Sequence, residues 1–299
     1  MKHQTKLFSL LGFLTILALA MSSCIKDENP GPGMGEQYNS IQYKIRQIPD
    51  LGFDYSFHAW AEDASEIYYL GEIIADNNGE FSGEYNFQEG RATDITRFFI
   101  SLEPFDDQDP APSDWVLLES EFSGSEGLVN NAPFIEEGVA DLATGTYILA
   151  SPTTASNTDE SKGIWFVANA AGTTRGLDLP ILESGWKYEA WVNTGKGTLS
   201  AGGFLDPGGS DDRSVYSASE RPPFPFPGED FIQGLPGFQI DSLQNSECYI
   251  SIEPEDGVSS PFFLQILQDE ISAGTTPRTV QNLLNPGSGG WLLAEIQKK

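Results

Sequence analysis

The sequence predicts an all-β fold: a signal peptide and flexible tether, then two tandem antiparallel β-sandwich modules of immunoglobulin-like character. Three observations predict it. First, the 299 residues include 31 Gly, 19 Pro and 12% aromatics, a turn-rich composition unlike that of a helical or disordered acidic chain. Second, short runs of β-branched and aromatic residues are punctuated by turn residues along most of the chain. Third, one pattern of such runs occurs twice.

The chain opens with Lys2 and Lys6, an apolar run from Leu7 to Ala20, and Met21-Ser22-Ser23-Cys24. A positive start, a short apolar stretch and small residues before a cleavage point are the marks of a secretory signal, here residues 1–23. The run is shorter than the ~20 residues that a spanning helix needs. The small residues before Cys24 resemble the lipobox of bacterial lipoproteins. That resemblance implies a covalently lipidated Cys24 as first mature residue, held to the outer membrane by its acyl chains at ~0.8 kcal/mol per buried CH2. Lys26, Asp27 and Glu28 resemble the export tag of surface-exposed lipoproteins, which implies an outward-facing protein. Residues 24–36 then form a tether, since Asn29-Pro-Gly-Pro-Gly-Met-Gly35 holds neither helix nor strand.

The first module is expected over 37–136. Ile41, Tyr43 and Ile45 alternate with Gln42, Lys44 and Arg46, the pattern of a half-buried strand. Asn77-Asn78-Gly79 reads as a hairpin turn between residues 71–74 and 80–85. Phe98 to Leu102 is a strand that stops at Glu103-Pro104, because proline has no N–H for the ladder. The second module is expected over 137–299, with strands around 146–150, 164–167, 188–192 and 248–252. It carries one helix candidate, Thr279 to Leu284, and a Pro-rich insertion, residues 219–228. Cys248 lies in a strand and is expected buried and inert.

The repeat has two landmarks. Phe57-His58-Ala59-Trp60 returns as Tyr188-Glu189-Ala190-Trp191, and Gly71 as Gly202, 131 residues later in each case. Ile100-Ser101-Leu102-Glu103-Pro104 returns as Ile250-Ser251-Ile252-Glu253-Pro254, 150 residues later, the insertion making the difference. An aromatic-x-Ala-Trp strand, a glycine and an Ile-Ser-x-Glu-Pro strand together resemble the extracytoplasmic domain of the RskA-type anti-sigma-K factors. The matching residues are Tyr188, Glu189 and Trp191 with Ile252, Glu253 and Pro254, and more loosely Phe57 and Trp60 with Leu102, Glu103 and Pro104. The resemblance implies a β-sandwich outside the cytoplasmic membrane. It does not imply sigma-factor binding, because no sigma-binding segment or spanning helix is expected ahead of the modules.

Charge narrows the function. With 44 Asp+Glu against 16 Lys+Arg the formal net charge is −28, which excludes a nucleic-acid partner. Past the signal, His58 and Cys248 are the sole histidine and, apart from Cys24, the sole thiol, so neither zinc nor a Ser-His-Asp triad is expected. Glu103 and Glu253 could be paired glycosidase carboxylates. Recurring once per repeat, they read better as strand-end acceptors of hydrogen bonds. Asp76, Asn78 and Glu80 alternate oxygen ligands and are the weak calcium candidates, without a full calcium loop. Trp60 and Trp191 are assigned to the core; Trp186, Phe224 and Phe226 are the candidates for exposed ligand contacts. The expectation is therefore a non-catalytic surface lipoprotein without cofactor, acting as an interaction, scaffold or ligand-binding module with a protein or glycan partner. An envelope regulatory or sensory module of anti-sigma type, and a carbohydrate-binding module, are the alternatives.

Overall fold

The computed structural model describes residues 36–52, 54–88, 90–136, 138–218, 223–256, 260–287 and 291–299. The signal, Cys24, the tag of Lys26, Asp27 and Glu28, and all of the tether except Glu36 lie outside the described residues. Residues 37–299 form one compact unit and the chain is all-β, as composition predicts.

Seven strands come first: β1 (Ser40–Arg46), β2 (Tyr55–Glu62), β3 (Ile67–Ile73), β4 (Phe81–Asn86), β5 (Arg97–Pro104), β6 (Val116–Ser123) and β7 (Glu126–Asn130). Then follow β8 (Thr144–Leu149), β9 (Gly163–Trp165), β10 (Leu177–Asp178), β11 (Trp186–Asn193) and β12 (Thr198–Phe204). The last are β13 (Gly228–Asp230), β14 (Ser246–Pro254), β15 (Gln265–Ile271), β16 (Gln281–Leu283) and β17 (Leu293–Lys298).

The first sheet has the order β3-β2-β5-β6-β7-β17-β1-β4. Its two edges, β3 and β4, are joined by residues 74–80. Eight flat strands at ~4.8 Å would hold those edges about 34 Å apart. Seven extended residues reach roughly 25 Å. The sheet must therefore curl back on itself. The rings of Tyr43 in β1 and Phe98 in β5 meet at 5.0 Å across the interior, which shows the closure. Alternation in β1 buries Ile41, Tyr43 and Ile45 as predicted. The second sheet runs β12-β11-β14-β15, and a third runs β10-β8-β9-β13 with β16 also on β8. All recorded strand pairs are antiparallel.

The sequence repeat is a structural repeat. β3-β2-β5-β6 and β12-β11-β14-β15 have the same order, and their ladders slip at matching points. One register shift lies between Ala59 and Trp60 and its counterpart between Ala190 and Trp191. A second lies between Ile100 and Ser101 and its counterpart between Ile250 and Ser251.

Three expectations are corrected. A boundary at 136/137 does not separate two cores. β17 returns to pair with β1 and touches β7, and one buried apolar cluster runs from Ile41 to Ile296. Without β17, β1 would leave a row of unpaired backbone groups along one side. Phe57 and Phe263, one from each repeat, pack edge to face at 6.2 Å in this shared core. Next, Asp76 to Glu80 is a tight turn, but β3 and β4 do not pair. Each finds a partner at its own edge, β3 on β2 and β4 on β1. Finally, the helix candidate 279–284 contains strand β16, in which Gln281, Asn282 and Leu283 pair with Tyr147, Thr146 and Gly145. A short segment with Thr279 and Val280 gains more from an open ladder than from a single helical turn.

Candidate functional site

Each repeat carries a buried Trp–Ser–Glu relay on the sheet face turned away from the shared core. In the first, the Trp60 indole N–H donates to Ser101 Oγ at 2.7 Å and Ser101 donates in turn to Glu103. The backbone N–H of Ser113 closes the set onto Glu103 at 3.0 Å. In the second, Trp191 Nε1 donates to Ser251 Oγ at 3.0 Å and Glu253 Oε1 at 3.1 Å. Ser251 and the N–H of Phe262 also donate to Glu253. Two chemical facts produce this placement. β2 and β11 send Phe57, Ala59 and Ala61, or Tyr188, Ala190 and Val192, into the core, so the alternate residues point outward. The proline ending each strand then leaves a bend that brings a backbone N–H onto the glutamate.

The expectation that both glutamates are hydrogen-bond acceptors is met. They sit in separate sheets, so they do not form one paired-carboxylate site. Trp60 and Trp191 are buried, though on the outer face and not in the main cluster.

The two relays differ in what covers them. In the first repeat a cleft of about 460 Å3 lies over the relay, lined by Ser56, His58, Trp60, Tyr69, Glu72 and Glu103 and walled by residues 104–111. Its aromatic side is continuous: Tyr69 lies 5.0 Å from Trp60 and 5.3 Å from His58. Ser56 Oγ is 3.0 Å from His58 Nε2. Aspartates stiffen the opposite wall, Asp107 accepting from the N–H of Asp109 and Asp109 from that of Ala111. Among the described residues, no lysine or arginine lines the cleft.

In the second repeat the same place is sealed by residues 205–218. The bulge glycine shows it most clearly. Gly71 and Gly202 are equivalent, both at positive φ (133° and 112°). A Cβ on Gly71 would meet nothing within 4 Å; one on Gly202 would lie 2.4 Å from Asp211 Oδ1. Asp212 extends the edge of β12, its N–H donating to Gly203 O and its carboxylate accepting from Gly203 N. Tyr69 is 47% exposed, whereas its counterpart Ser200 is 5% exposed and donates to Glu189. Burial pushes Asp211 up to about 6 and Glu253 up to about 7.

The remaining candidates take other places. Trp186 is 2% exposed, its ring packed at a tilt 4.6 Å from Phe134 in the core, so it is not a surface contact. It shares the inner face with Tyr188, Ala190 and Val192, a signal visible in the alternation but masked by flanking Gly185 and Lys187. Phe224 and Phe226 are half-buried on the small cluster of Ile148, Ala150, Trp165 and Val167, and do not stand free. Phe224 meets Trp165 edge to face at 5.5 Å, and the Arg278 guanidinium lies 5.9 Å from its ring centre. Asp76 spends its carboxylate on the N–H groups of Asn78 and Glu80, which hold it below the ordinary aspartate range. Glu80 pairs with Lys44 at 2.8 Å. These contacts shape the turn, and no group of three or more metal-ligating residues is assembled among the described residues. Cys248 is buried, and burial pushes its thiol up.

The cleft residues His58, Tyr69 and Glu72 were not singled out by sequence reasoning as a site. The available signal was the outward alternation of Ser56, His58 and Trp60. A scan against family models, a search of curated proteins and a search of solved structures each return no significant match to the chain.

Proposed function

We propose that the chain is a non-catalytic ligand-binding lipoprotein of the cell surface, anchored through Cys24 and holding its ligand in the first-repeat cleft. One observation carries the reading. A duplicated scaffold is sealed by its own chain in one copy and left open, with an aromatic wall, in the other. A concave site with aromatic faces and a few placed polar groups is the usual form of a small-molecule site. The lipobox-like segment and the Lys26-Asp27-Glu28 tag support the outward placement. The aromatic wall suits the carbohydrate-binding alternative as well, since rings of this kind stack on sugars.

Thermal unfolding of the full chain with a panel of monosaccharides, disaccharides and small amines tests it. A ligand at a hundred times its Kd stabilises by about 2.7 kcal/mol, a readily visible rise in Tm. At least one panel member is expected to raise Tm, and Tyr69→Ala is expected to abolish the rise. A rise that survives Tyr69→Ala, or none anywhere in the panel, overturns the reading.

A further inference from the structure

The sealed repeat shows what the open one lacks. In the second repeat Lys187 points along the outer face, its Nζ 3.4 Å from Glu189. Lys187 is paired across the ladder with Glu253, and Ser56, its counterpart, with Glu103. The first repeat therefore keeps the glutamate but replaces the lysine by a hydroxyl. The position of the ammonium can be fixed further. A Cβ built on Gly203 would lie 3.1 Å from Lys187 Nζ. Gly203 faces Glu189 across the ladder, just as Glu72 faces His58. At that register the first repeat carries the carboxylate of Glu72. In the first repeat the equivalent positions carry no lysine: Ser56 stands for Lys187, His58 for its partner Glu189 and Glu72 for Gly203, and all three line the cleft together with Glu103 and Tyr69.

We propose that the first-repeat cleft takes a ligand bearing a primary ammonium group, seated where Lys187 places its own in the second repeat. The proposal rests on the cleft being the binding site. Two physical features favour a cation over a neutral ligand. Among the described residues the cleft is lined by the carboxylates of Glu72, Glu103, Asp107 and Asp109 and, His58 apart, by no basic side chain, so an incoming ammonium gains charge-assisted hydrogen bonds. The exposed ring of Tyr69 adds cation–π attraction and covers the carbon skeleton of the ligand. The same chemistry is offered by a free amine or amino sugar and by a lysine side chain of a peptide.

Isothermal titration of the full chain at low salt separates these. The probes are glucosamine, N-acetylglucosamine, cadaverine and a terminally blocked peptide with one lysine. Glucosamine and cadaverine are expected to bind, and acylation of the amine is expected to weaken binding at least tenfold. Tighter binding of the peptide than of cadaverine assigns the ammonium to a protein lysine; the reverse assigns it to a small amine. Ser56→Lys restores the built-in ammonium and is expected to abolish binding, while Glu72→Gln weakens it about tenfold. Gln42→Lys, an equal charge change away from the cleft, is expected to leave binding unchanged, which separates a site from general attraction to an acidic protein. Equal binding of N-acetylglucosamine, or unchanged binding in both Ser56→Lys and Glu72→Gln, overturns the ammonium assignment. If that binding is lost in Tyr69→Ala, the cleft remains the site and the ammonium assignment alone falls. Binding that ignores all three cleft substitutions, or no binding by any probe, overturns the ammonium assignment too.

Discussion

Trp186→Ala is expected to lower the unfolding free energy by about 3–5 kcal/mol. The indole is enclosed by Phe134 at 4.6 Å and Phe262 at 6.4 Å, in the cluster shared by both repeats. Truncation removes its burial and leaves a cavity that a β-sandwich closes poorly, because the facing strands are fixed by their ladders. Trp186→Phe should cost distinctly less, since it keeps most of the ring contact. Urea unfolding of both variants reads the difference, and the smaller change keeps the comparison usable should the alanine variant fail to fold. A cost below about 1 kcal/mol for Trp186→Ala would place the indole at the surface.

Glu253→Gln is expected to remove a large part of the dependence of stability on pH. The Glu253 carboxyl is fully buried, and among the described residues Oε1 accepts every donor and Oε2 has no partner. Burial is the main cause that lifts it from 4.5 to about 7, and the nearby Glu189 adds to it, opposed by donors from Ser251, Phe262 and Trp191. The folded state thus holds a proton that the unfolded chain releases near 4.5. Its contribution to stability is fullest below that value, falls as pH rises toward 7, and is gone above it. At about 1.4 kcal/mol per unit, the wild type should lose about 2–3 kcal/mol more than Glu253→Gln between pH 5 and pH 8. Equal pH dependence of the two proteins would mean that Glu253 is ionised in the fold at pH 5. Asp211, Glu229 and Asp230 are also raised by burial, so the variant should keep a residual slope of the same sign.

Period and turn chemistry made much of this fold legible. Ile41, Tyr43 and Ile45 alternate and are buried; Glu103-Pro104 ends β5; the two landmarks fall on equivalent strands. What stayed hidden was long-range. Nothing local in Leu293–Lys298 says that it will fill the gap between β1 and β7, because strand partners are chosen by which edges remain open. Trp186 was misread for a related reason: its neighbours look solvent-facing, but face is set by register, and a one-residue shift inverts it. Glu103 and Glu253 were read correctly as acceptors because a repeated position argues for structure. The cleft was missed because its openness depends on a cover that one repeat has and the other lacks. Asp211 and Asp212 touch Gly202 and Gly203 only once residues 205–218 fold over β12.

Hydrogen exchange read by mass spectrometry, with and without millimolar glucosamine, tests most directly whether one copy of the scaffold is open and its twin is sealed. The account predicts slowed exchange in β3 and residues 104–111 around the first relay, and no change in β12 or residues 205–218. Slowing confined to the second repeat, or none in the first, would contradict it.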